Sequence, residues 1–130
     1  MVADYRLMVG FLDQGRSFDQ LVELIAKMTA ATLRDVPGET ESVVGRIGAG
    51  YVWVQFDPAD FEPFASHPYG VDLRLEDPSR EPELANHILT ALVATGGYQV
   101  ILLMDGDPIR SSHYTEADLD AEIGELGRSA

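Results

Sequence analysis

No cysteine occurs among the 130 residues. That excludes a disulfide framework, thiolate metal ligation and a cysteine nucleophile together. Positive charge is scarce: nine lysines and arginines face 22 aspartates and glutamates, for a formal net charge of −13. Such a field repels phosphate backbones and anionic lipid surfaces, so neither nucleic acid nor a membrane is an expected partner. A basic protein surface is attracted by it and its encounter accelerated. Solubility is the plainer role of the same charge. Histidine is scarce as well. His67, His87 and His113 form no H-x-x-x-H or H-x-H pair, so metal-ligand spacing is missing and the three read as surface residues. Met1-Val2-Ala3-Asp4-Tyr5-Arg6 is no basic-then-apolar leader, which sets the expectation of a cytoplasmic chain. Nothing in the sequence calls for a cofactor.

What is present suits one globular domain spanning 1–130, since single domains mostly run roughly 100–200 residues. With 45% hydrophobic and 24% charged residues the chain is neither disordered nor fibrous in composition. Leu84 to Met104 carries no formal charge, a length that could span a bilayer. Asn86, His87, Gln99 and the Gly96-Gly97 pair argue instead for a helix, a stop and a buried strand.

Tyr5, Leu7, Val9 and Phe11 alternate on one face of a first strand, Asp4 to Leu12. Ser17, with Gln20 three residues on, reads as the cap of a helix from Phe18 to Arg34. Ser42–Ile47 and Tyr51–Phe56 are strands joined by Gly48-Ala49-Gly50, and Val71–Leu75 is a further strand. Pro82 opens a second helix that turns Leu84, Ala85, Ile88, Leu92 and Thr95 inward. Tyr98–Met104 is a buried strand, Asp105-Gly106-Asp107-Pro108 its turn, and Thr115–Leu126 a closing acidic helix. The order β-α-β-β-β-α-β-α predicts an α+β fold. Its two layers are a mixed, mainly antiparallel sheet of about five strands and helices on one face.

Catalytic patterns run out quickly. Asp105 and Asp107 flank a glycine as turn residues do, without the further ligands of a cation loop. Gly45 to Gly50 joins two strands, whereas a phosphate cradle needs a helix amino terminus. Ser111-Ser112-His113 places a hydroxyl next to a base but forms no nucleophile elbow. The feature that remains is the long segment Asp57 to Gly70, with three carboxylates and three rings on a proline-stiffened loop. Phe61, Phe64 and Tyr69 read as anchors for a basic protein partner; Asp57, Asp60 and Glu62 would orient it, with His67 beside them. The plainer alternative has Phe61 and Phe64 plugging one end of the core. Charge concentrates in the central region and the tail: residues 48–83 carry eight acids and two bases, residues 105–130 seven and two, and residues 1–47 seven and five. If the two acidic surfaces adjoin they form a docking face; if they lie opposite, the solubility reading gains.

The opening Asp4-Tyr5-Arg6-Leu7 strand with its capped helix, and the run Gly96-Gly97-Tyr98-Gln99-Val100-Ile101-Leu102-Leu103-Met104-Asp105-Gly106-Asp107, resemble small immunity proteins of bacterial polymorphic toxin systems. The layout match covers most of the chain. The resemblance implies a non-enzymatic protein that binds a cognate toxin domain and blocks it. It transfers no contact residue, because nothing here matches a binding motif position by position. A rival reading is a small-ligand binder or hydrolase with a pocket between sheet and helices and His67 or His113 as base. A third is a self-associating accessory protein, to which an exposed apolar face on the strand of Trp53 would point; the sequence leaves monomer or homodimer open.

Overall fold

Period-two alternation puts Leu7 and Val9, Val52 and Val54, Val71 and Leu73, and Val100 and Leu102 on one side of their strands. All eight are buried in one continuous core. The computed structural model describes residues 4–62 and 64–112. Its strands are β1 (Tyr5–Phe11), β2 (Arg34–Asp35), β3 (Ser42–Ile47), β4 (Gly50–Phe56), β5 (Tyr69–Arg74), β6 (Tyr98–Met104) and β7 (Asp107–Ser111). They form one sheet in the order β2-β3-β4-β5-β1-β6-β7, and every neighbouring pair is antiparallel. Two helices, α1 (Phe18–Thr29) and α2 (Glu81–Thr95), supply Leu21, Ile25, Ala85, Ile88, Leu89 and Leu92 to the core on that one face.

The α+β class and the helices on one face agree with the alternation and cap signals. The strand count does not: the sheet has seven strands rather than about five, and it is antiparallel rather than mixed. Both additions are edge strands with weak signals of their own. β2 occupies what reads as the last turn of α1. That helix stops at Thr29 because Ala30 enters the left-handed region (φ 56°), freeing Arg34 and Asp35 to pair with Val44 and Val43. β7 occupies what reads as turn. Asp105 (φ 52°) and Gly106 (φ 84°) close a two-residue hairpin in which both positions need positive φ, so the chain returns at once along β6. Pro108 is tolerated there because an edge strand can lack one ladder donor. The expected helix Thr115–Leu126 lies outside the described residues.

Ser17 caps α1 by accepting the Gln20 amide at 3.2 Å. Arg16 caps the far end of α2, donating to the Thr95 and Gly96 carbonyls at 3.2 and 2.6 Å, and lies over the Tyr98 ring at 5.1 Å. The uncharged Leu84–Met104 run divides as its glycines predict. α2 ends at Thr95, Gly96 and Gly97 both take positive φ, and β6 begins at Tyr98. No helix among the described residues is long and apolar enough to cross a membrane.

Candidate functional site on the open face of the sheet

With Leu7, Val52, Val71 and Val100 turned to the helices, the intervening side chains stand on the opposite face. One row of register neighbours runs across five strands: Val44, Trp53, Asp72, Arg6 and Leu103. No helix among the described residues covers it. Tyr51 and Val44 are 39% and 38% exposed. Trp53 is half-buried, its indole N–H donating to the Ser42 hydroxyl at 2.8 Å. The polar edge of the ring is therefore satisfied internally, and its carbon surface remains for contact.

Arg6 organises the charge. Its Nη2 meets Asp57 at 2.8 Å, while its Nε stops 3.7 Å from Asp72, beyond hydrogen-bond reach. Gly70 makes this possible, because a Cβ there would overlap the Arg6 guanidinium. Asp72 keeps one long hydrogen bond, from the Gln55 amide at 3.4 Å. Burial pushes its carboxyl above the ordinary value. Arg6 and Gln55 pull it down, and Asp57 adds to the rise. At the end of the same face Arg74 pairs with Asp4 and approaches Glu81 at 3.7 Å. Glu81 is fully buried at the start of α2 and accepts the Leu75 amide at 2.9 Å.

These side chains border a trough of about 430 Å³ lined by Asp4, Arg6, Tyr51, Trp53, Asp72 and Arg74, with Asp105 on its rim. A second depression of about 260 Å³ shares Arg6, Leu103 and Gly106 with it and extends under the loop to Met8, Asp57 and Phe64. Arg6 thus divides one continuous surface.

The loop between β4 and β5 crosses this face. Its ends meet where Asp57 N–H donates to the Pro68 carbonyl at 2.7 Å, and Gln99 holds the Ser66 carbonyl at 3.0 Å. That carbonyl sits against Gly10, where a Cβ would collide with it. Phe64 packs on Met8, Ile101 and Leu103, while Phe61 stays 44% exposed and meets Phe64 edge-on at 5.6 Å. Of the two rings, Phe64 therefore turns inward and Phe61 does not. Asp57 is exposed on the trough side; Asp60 and Glu62 are exposed on the loop, Glu62 accepting the Ser66 hydroxyl at 2.7 Å.

His67 and Tyr69 are placed elsewhere. His67 is fully buried, its Nδ1 3.2 Å from the Ser66 hydroxyl, rather than at the surface. Tyr69 belongs to the helix face, stacked on Phe11 at 4.6 Å and Phe18 at 5.7 Å, with Phe56 edge-on at 5.3 Å. The sequence reading missed Trp53, Tyr51, Asp72 and Arg6 as site residues. Their alternation was legible as a strand, but only pairing brings the five strands' outer residues into one row.

Burial, together with a hydrogen bond to Glu41 and its charge, pushes the Tyr69 hydroxyl from 10.0 to about 12. A proton held more tightly folded than unfolded gives stability that is complete below pH 10 and is lost as pH rises through about 12. Tyr69→Phe should therefore reduce the fall of Tm across that interval in a pH series of thermal melts. An unchanged slope would contradict the placement of the ring.

On the helix side, a groove of about 490 Å³ lies between the ends of α1 and α2, lined by Met28, Ile47, Leu75, Leu84 and His87 with Glu76, Asp77 and Glu83 around it. In this groove between sheet and helices His87 stands near carboxylates; His113 lies outside the described residues. Among the described residues no group of three or more histidines and carboxylates is arranged to hold a metal ion. Comparison with protein-family models, with curated proteins and with solved structures gives no significant match to this chain.

Proposed function

We propose that this chain is a non-enzymatic protein-binding module of the immunity-protein kind, which occupies a basic toxin domain with the open face of its sheet and the loop lying on it. The observation that carries this reading is the juxtaposition of part-exposed Tyr51, Trp53 and Val44 with carboxylates on the face opposite both helices. Rings and aliphatic side chains provide the desolvated centre of an interface, and a surrounding charge of one sign steers the partner toward it. Phe61 and Phe64 extend the apolar area along the loop, and Asp57, Asp60 and Glu62 lie beside them. The net charge of −13 selects a basic surface. Tyr69 and His67 have no part in it.

The partner to test is the C-terminal domain of a secreted toxin encoded beside this chain. The two purified proteins should form a complex, measured by stopped flow and calorimetry. The double reversal Asp60→Lys/Glu62→Lys should slow association roughly tenfold at low salt, the difference shrinking as salt is added and dissociation changing little. Absence of a complex, or an association rate untouched by the reversal, would overturn the proposal.

A further inference from the structure

Resting on the protein-binding reading above, we infer that the trough beside Trp53 receives an arginine side chain of the partner, its guanidinium on the Asp72 carboxylate and its flat face on the indole. The charge count around the trough leaves room for a cation. Among the described residues that line it, the carboxylates of Asp4, Asp72 and Asp105 outnumber the guanidinium groups of Arg6 and Arg74, which also reach outside it to Asp57 and Glu81. Arg74 is paired with Asp4 and stands 3.7 Å from Glu81, and Arg6 spends its Nη2 on Asp57. Asp72 is left with a guanidinium nitrogen at 3.7 Å and one amide at 3.4 Å, a poorly bonded acceptor on a partly desolvated floor. A second donor reaching it gains a charge-assisted bond in a low-dielectric setting.

Arginine fits this place better than lysine. A guanidinium offers a carboxylate two parallel N–H groups while its plane lies on an aromatic ring, whereas an ammonium is a strongly hydrated point charge. Trp53 is fixed by its bond to Ser42, and Tyr51 supplies a second ring on the same wall. Burial also holds the Asp72 carboxyl above its ordinary value, so its ionised form is disfavoured in the folded chain.

Trp53 is the only tryptophan, so its emission reports on the trough directly. Hexaarginine, hexalysine and hexacitrulline peptides, none of them fluorescent, are titrated into the intact chain. Hexaarginine should give a saturable change, hexalysine a dissociation constant roughly tenfold weaker, and hexacitrulline no saturation. Asp72→Asn should weaken hexaarginine roughly tenfold at an unchanged or higher Tm. Glu23→Gln, which removes an exposed carboxylate on α1, should leave it within about twofold, as distant surface charge is screened. Equal affinity for hexalysine, equal losses in the two variants, or no saturable response to hexaarginine would overturn the inference. If those results came while the toxin domain still bound and Asp60→Lys/Glu62→Lys still slowed it, the protein-binding reading would stand without the arginine. Specific hexaarginine binding with no toxin complex would separate them the other way.

Discussion

Trp53→Ala is expected to weaken the complex with the basic partner domain at least thirtyfold, about 2 kcal/mol, as loss of a central aromatic anchor does. Trp53 stands in the middle row of the open face, with Val44 on one neighbouring strand and Asp72 on the other. Truncation removes the ring and leaves the buried Ser42 hydroxyl without its indole donor. The fold should lose about 1–3 kcal/mol, because the ring is partly buried and its loss leaves a buried hydroxyl without its donor. Calorimetric titration alongside a thermal melt separates the two effects. A loss of affinity under about threefold, with the fold intact, would remove Trp53 from the interface.

Ile88→Ala should do the reverse. Ile88 is fully buried on α2, packed in the core between that helix and the sheet. Removing its side chain opens a cavity that the helix, held at both ends, only partly closes, at a cost of about 3–4 kcal/mol. For a chain of this length that lowers Tm by roughly 10–15 °C. The partner's affinity for the protein that remains folded should not change, since Ile88 lies on the far side of the sheet from Trp53. A fall in Tm of less than about 3 °C would mean that α2 is not seated as described. Together the two variants divide the sheet into a face that holds the fold and a face that meets the partner.

Much of the first face is legible in the sequence. Leu7, Val9, Val52, Val54, Val71 and Leu73 alternate cleanly, Ser17 and Gln20 mark a helix start, and Gly96-Gly97 marks a stop. The edges are not. Arg34 and Asp35 carry no strand signal, and they pair only because Ala30 takes a left-handed turn that side-chain identity does not favour. Asp105-Gly106 is a hairpin signal, but Pro108 argues against a following strand everywhere except at an edge, and edge position is a property of the finished sheet. The site was legible only in its loop. Asp57, Asp60, Glu62, Phe61 and Phe64 stand out because they are clustered in sequence. Arg6, Trp53 and Asp72 come from three strands, and their adjacency follows from a strand order, β4-β5-β1, that local patterns do not encode. Tyr69 illustrates the converse. It is close in sequence to the loop rings, yet the period of two turns it to the helix face beside Phe11 and Phe18.

The most direct test replaces Trp53 with 5-fluorotryptophan and follows its single fluorine resonance as the unlabelled toxin domain is added. A partner seated on the open face displaces water from the indole and slows its motion, so the free signal should give way to one shifted, broadened line at a one-to-one ratio. If the complex forms and the fluorine signal keeps its position and width, the partner sits elsewhere on the molecule and the open face is not its binding surface.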